Sequence, residues 1–137
     1  MIDIINTVKQ ELIDNGTENV YSAFDAVPVS SKGKFFTVIG MKNFECSTPV
    51  YSQYTIYMPF RTELEIRILA PESSSMEEIC GYYESEIGGV INRLSGLSSN
   101  ISGMSVKQDK NIGRLVLTVT LSAGGMKKIQ RETEEQI

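Results

Sequence analysis

Six glutamates lie close enough in sequence to act together: Glu63 and Glu65 form one pair, and Glu77, Glu78, Glu84 and Glu86 form a second group. Paired carboxylates can divide general-acid and general-base work, or hold a hard cation through their oxygens. The chain has no histidine, and so lacks the commonest general base, the usual partner of a Ser or Cys nucleophile, and the commonest metal ligand. Cys46 and Cys80 are widely separated and have no histidine to complete a zinc site. They read as two reduced thiols, with Cys80 a small hydrophobe on a helical stripe. The run "GYYESEIGG" (Gly81 to Gly89) resembles a glycine-rich phosphate loop only in composition. It lacks the strand-loop-helix setting and the Lys-Ser/Thr that would follow. Arg61, Arg67, Arg93 and Arg114 do not cluster in sequence. The glutamate spacings match faces turned to water. The expectation is a protein that is not an enzyme, with no catalytic residue, cofactor or metal.

The elements that carry these residues are easier to read. "ELEIRILAPESSSMEE" (Glu63 to Glu78) begins as a strand, with Leu64, Ile66 and Ile68 opposite Glu63, Glu65 and Arg67. Past Pro71 a serine among Ser73 to Ser75 is placed to cap a helix, with Glu77 and Glu78 opposing the positive end of its dipole. Met76, Ile79, Cys80, Tyr83, Ile87, Val90, Ile91 and Leu94 then trace a helical stripe, and Gly96 is the expected terminator.

Upstream, Ile2, Ile5, Val8, Leu12 and Ile13 predict an N-terminal helix stopped at Asn15-Gly16. Residues 19–33 read as extended and irregular, with "SSKG" (30–33) a turn. "KFFTVIGMKNF" (Lys34 to Phe44) predicts a strand with apolar groups on both faces. Residues 47–71 continue in β, with Pro59 predicting an edge, bulge or break because it lacks a ladder donor. "LSSNISG" reads as a polar connection. Met104 to Gly124 reads as a hairpin whose second arm turns Leu115, Leu117, Val119 and Leu121 to one face and ends at Gly124-Gly125.

The fold class is therefore α+β: a mainly antiparallel sheet with an N-terminal helix and a long central helix packed on one face. Residues 1–124 are one domain, and 125–137 a charged tail that frays or forms a short helix. With 137 residues, 41% hydrophobic and 22% charged, the chain is in the ordinary globular range. Its net charge of -4 argues against nucleic acid as the main partner. No apolar run is long enough for a membrane span, and the N-terminus does not read as a signal peptide, so cytoplasmic residence is the default expectation.

Aromatic residues supply the positive hint. Tyr51, Tyr54, Tyr57 and Phe60 recur through one β segment beside Phe35, Phe36 and Phe44. Core packing accounts for most of them. Helices on one face cannot bury both sides of every strand, so second-face residues such as Met41 and Tyr57 are candidates for a subunit interface. A small-ligand module, with the aromatic segment lining a pocket between sheet and helix, is the alternative. A carboxylate- or metal-dependent enzyme ranks last.

The order of elements resembles the tail terminator and tail-completion proteins of long-tailed bacteriophages and prophages. The N-terminal helix, "FFTVIGM", "TELEIRILAPESSSMEEICGYYESEIGGVI", "SGLSSNISGMSV" and "RLVLTVTLS" carry the resemblance. It covers most of residues 1–124 and rests on patterning and order. The resemblance implies a subunit of a ring, commonly a hexamer, that caps the tail tube and joins tail to head. Its implied partners are further copies of itself, the tube and head-connector proteins. The implied location is the bacterial cytoplasm and then the virion or tail-like particle. Another tail or connector subunit is the neighbouring reading.

Overall fold

The computed structural model of the chain describes residues 2–23, 34–94 and 97–130. Helix α1 (Ile2–Asp14) buries Ile5, Val8 and Leu12. Ile13 lies one residue further round the helix and is 42% exposed, off the stripe expected for it. The helix stops where Gly16 takes a φ of +93°, a conformation glycine enters without a Cβ clash. The N–H groups of Gly16 and Thr17 then bond the carbonyls of Ile13 and Leu12, each at 3.0 Å.

The sheet runs β1 (Val20–Ser22), β2 (Phe36–Cys46), β4 (Thr55–Pro71), β6 (Arg114–Gln130), β5 (Ser98–Asp109). Strand β1 is parallel to β2, and the remaining pairs are antiparallel. The short β3 (Val50–Tyr51) joins β4 beyond the end of β2. Strands β4 and β6 stay paired over their full length, from Thr55 opposite Gln130 to Pro71 opposite Arg114.

Alternation along these strands assigns the two faces. Leu64, Ile66, Ile68, Leu117, Val119, Leu121 and Ile39 are fully buried, and they meet Ile5, Val8 and Leu12 of α1 and Ile79, Ile87 and Ile91 of the second helix. Truncating one such side chain to alanine costs about 2–5 kcal/mol. Glu63, Glu65 and Arg67 face away, with an ion pair between Glu65 and Arg67. The second face also has an apolar row. Phe36, Leu69 and Val116 lie side by side across three strands, with Phe36 and Val116 buried. The Arg114 guanidinium lies 4.9 Å from the Phe36 ring centre and donates to the Lys34 carbonyl at 3.2 Å.

The second helix, α2, spans 16 residues, 76–91. Ser75 opens it with a complete capping box: the Glu78 amide donates to Ser75 Oγ, and the Ser75 amide donates to Glu78 Oε1, both at 3.1 Å. The turns Met76–Tyr82 and Gly89–Ile91 are α-helical, while Tyr83–Gly88 is π-helical. The wider π turn keeps Ile79, Tyr83, Ile87 and Ile91, spaced strictly by four, on one buried line. Gly88 makes room for the Tyr83 ring, since a Cβ there would lie 3.3 Å from Tyr83 Cε1. Met76, assigned to the stripe from sequence, is exposed.

Several sequence expectations differ from the structure. The helix stops at Ile91 although Leu94 is still buried, and the expected terminator Gly96 lies outside the described residues, as does "SSKG". All of "LSSNISG" after Leu97 forms the start of β5, its low strand propensity overridden by pairing with β6. Gly124-Gly125 does not end β6, because Arg61 and Phe60 of the equally long β4 continue the ladder opposite them. Met126–Gln130, expected in a frayed or helical tail, are strand; 131–137 lie outside the described residues. Pro59 neither breaks β4 nor bulges it. The edge alternative holds locally: Pro59 falls in the gap between β2 and β3, where its carbonyl accepts from the Ser47 amide at 2.9 Å and no ladder donor is needed.

Candidate functional site

Helix cover ends before the sheet does. Past Phe60, strands β3, β4 and β6 run on as a three-stranded arm, with Val50 opposite Tyr57, Tyr51 opposite Ile56, Ile56 opposite Ile129, and Pro59 opposite Met126. The buried-exposed alternation of β4 gives way to uniform half-burial from Thr55 to Pro59. At the arm's root the Phe44 and Phe60 rings stack at 5.5 Å. Further out, Tyr51 is 67% exposed, Tyr54 55% and Met126 61%, with Val50 and Ile129 also open to solvent. The register divides the paired residues between the arm's two faces, Tyr51 and Ile129 beside Ile56 on one and Val50 and Met126 beside Tyr57 and Pro59 on the other, so both faces of the arm expose apolar side chains. The arm residues 50–59 and 126–130 carry Lys127 and Lys128 and no acidic side chain.

The two interface candidates from sequence are placed apart. Tyr57 is half-buried in the arm, opposite Lys128 and Val50. Met41 lies opposite Leu64 and packs against the main core, so it belongs to the helix-covered face and not to the second one. A backbone irregularity between Met41 and Asn43 separates it from the strand's outer half. Sequence reasoning missed Met126 and Ile129, because Gly124-Gly125 reads as a strand end. Met126 and Ile129 are three residues apart and fall on opposite faces of the strand, so no period-two pattern marked them.

The carboxylates divide among several surfaces. Glu45 and Glu63 line a polar hollow of about 470 Å3 with Arg61, Asn43, Asn100 and Ser122. Glu65 lies in another, of about 490 Å3, beside Arg67, Val38 and Gly40. Glu77 and Glu84 are exposed on α2. Glu78 and Glu86 meet Glu18 and Lys34 around a cleft of about 620 Å3 between the end of α1, the start of β2 and α2. The Thr17 hydroxyl ties this cleft together by donating to the Glu86 carbonyl at 3.0 Å. Its aromatic members are Phe35 and Tyr82, with ring centres 5.0 Å apart. Burial pushes the Tyr82 phenol above its ordinary range, the Thr37 hydroxyl pulls it back, and Glu86 and Glu18 raise it further. Thr37 Oγ1 is buried and meets no partner in strict hydrogen-bond geometry, so burial governs the Tyr82 shift. Tyr51, Tyr54, Tyr57 and Phe60 line none of these three hollows, contrary to what the ligand-module alternative requires. Among the described residues no three His, Cys, Asp or Glu side chains gather as a metal site. Cys46 and Cys80 are free thiols, Cys46 exposed and Cys80 against the core. No helix among the described residues is long and apolar enough to cross a membrane.

No protein-family model and no curated protein matches the sequence. Among solved structures, a protein without a functional name superposes with a TM-score of 0.50 at 8% identity, covering 95% of this chain and 96% of that one. That likeness extends to the fold alone. A chain of the virion of a native gene transfer agent particle gives a TM-score of 0.49 at 11% identity, covering 88% and 92%. The type 4 fimbrial biogenesis protein PilO of Pseudomonas aeruginosa gives 0.34 at 8% identity, covering 93% and 69%. Neither of these two scores supports an inference about what this chain does.

Proposed function

We propose that this chain is a structural subunit of a phage-like particle, a tail terminator that forms a ring on the tube end and joins tail to head. The observation that carries the reading is the arm. A sheet that runs past its helices, with Tyr51, Tyr54, Met126 and Ile129 left to solvent, has a surface suited to assembly. The order of elements described from sequence supports the same reading. The role needs no acid-base pair or cofactor, and we propose that the protein is not an enzyme. Its partners are further copies of itself, the tube and the head connector, and its place is the host cytoplasm and then the particle. Closed rings require a contact between two different patches whose rotation closes on itself.

The test mixes purified protein with tail tubes of the cognate particle and inspects them by electron microscopy. The expected result is density on one tube end and tubes of bounded length. Tubes that stay bare and keep lengthening at protein concentrations far above any working affinity would remove the reading.

A further inference from the structure

The arm needs a docking site. Its exposed side chains are apolar and basic on both faces: Tyr51 and Ile129 with Lys127 on one, Met126 with Lys128 on the other. The surface of the same fold with the complementary character is the cleft where Glu18, Glu78 and Glu86 surround Phe35 and Tyr82, with Lys34 the one opposing charge among its lining residues. Glu78 already accepts from the Ser75 amide in the capping box, which leaves Glu18 and Glu86 as the acids free of that duty. The two surfaces lie at opposite ends of the sheet. The arm is where Thr55 pairs with Gln130, and the cleft adjoins Phe35, next to the row where Phe36 pairs with Leu69. At a strand rise of about 3.3 Å per residue, the fourteen steps from Thr55 to Leu69 put them roughly 45 Å apart. An arm rooted in a continuous strand pair cannot fold back over that span.

We propose that the arm of one copy docks into the acidic, aromatic cleft of a second copy, inserted so that Lys127 on one face of the arm and Lys128 on the other meet the acids Glu18 and Glu86. The contact joins unlike patches at opposite ends of the molecule, so each copy receives one neighbour and offers its arm to another. Such a contact closes into a ring or continues as a filament. This deepens the ring reading and rests on it for its biological setting.

The test is sedimentation or light scattering of the full chain across a concentration series, with thermal unfolding as the control for folding. The wild type should associate at about 100 μM or below, a modest demand for a specific contact. Lys127→Glu with Lys128→Glu should raise the required concentration at least about tenfold, and Glu18→Lys with Glu86→Lys should do the same. Mixing the two reversed chains should restore association, because every junction then has complementary charge. A chain ending at Gln130, without the acidic 131–137 segment, should associate at least as well as the wild type. A wild type that stays monomeric, a cleft reversal without effect, a mixture that fails to recover, or loss on truncation overturns the proposal. Tube-end binding is scored separately. Head-to-tail association without tube binding keeps this contact and removes the terminator reading, whereas tube binding by a chain indifferent to both reversals does the opposite.

Discussion

Individual side chains here divide between holding the fold and facing outward, and the two kinds fail differently. Ser75 closes a reciprocal pair of bonds at the start of α2. Its replacement by alanine should cost about 1 kcal/mol in urea unfolding while leaving self-association intact. Ile66 is fully buried beneath both helices, and Ile66→Ala should cost about 2–5 kcal/mol. Tyr82 and Tyr83 both have phenols raised by burial. In each case the folded protein holds its proton to higher pH than the unfolded chain does. The stability this contributes is present below the ordinary phenol value of about 10 and is lost as pH climbs through the folded value. Ultraviolet titration should show two late-ionising tyrosines, and Tyr82→Phe should remove one and make the alkaline loss of stability shallower. Early ionisation of both would contradict the packing described.

At the scale of elements, the arm depends on a close approach. A Cβ on Gly124 would come within 3.2 Å of the Phe60 carbonyl oxygen, a backbone atom that cannot swing aside. Gly124→Val should therefore cost about 1–3 kcal/mol by overpacking, and hydrogen exchange should quicken in 55–59 and 126–130 before it does in the core. The strand-helix unit from Glu63 to Glu78 was legible in the residues because alternation and capping are local signals. The same holds for α1, where spacing and an Asn-Gly stop agree. The arm was not legible. Whether Gly124-Gly125 ends a strand depends on the length of β4 opposite it, and whether Pro59 breaks β4 depends on the gap between β2 and β3. Strand β5 begins in a run of serines and asparagine that has little β preference of its own, so only its neighbour β6 decides its state. The π turn was likewise hidden, although the strict four-residue spacing of Ile79, Tyr83, Ile87 and Ile91 was its trace.

For the molecule as a whole, the charge layout separates a basic, apolar arm from a helix layer whose exposed side chains include Glu77, Glu78 and Glu84. Added salt should weaken arm-dependent association without abolishing it, since screening removes the Coulomb share and leaves apolar burial in place. A concentration series at low and high ionic strength reads this directly. The absence of any salt effect would mean that Lys127 and Lys128 contribute nothing to the contact. Of the cleft's acids the sequence singled out Glu78 and Glu86 but not Glu18, which is far from Glu86 along the chain and comes near it only where Thr17 bonds the Glu86 carbonyl.

The arm and the body share the same two backbones, β4 and β6, with no hinge between them. A load applied at the arm's tip travels along covalent chain into the middle of the sheet. The angle at which one copy meets the next is then inherited from the twist of the central strands. Repacking deep under the helices would change the curvature of an assembly without touching the surfaces that join it.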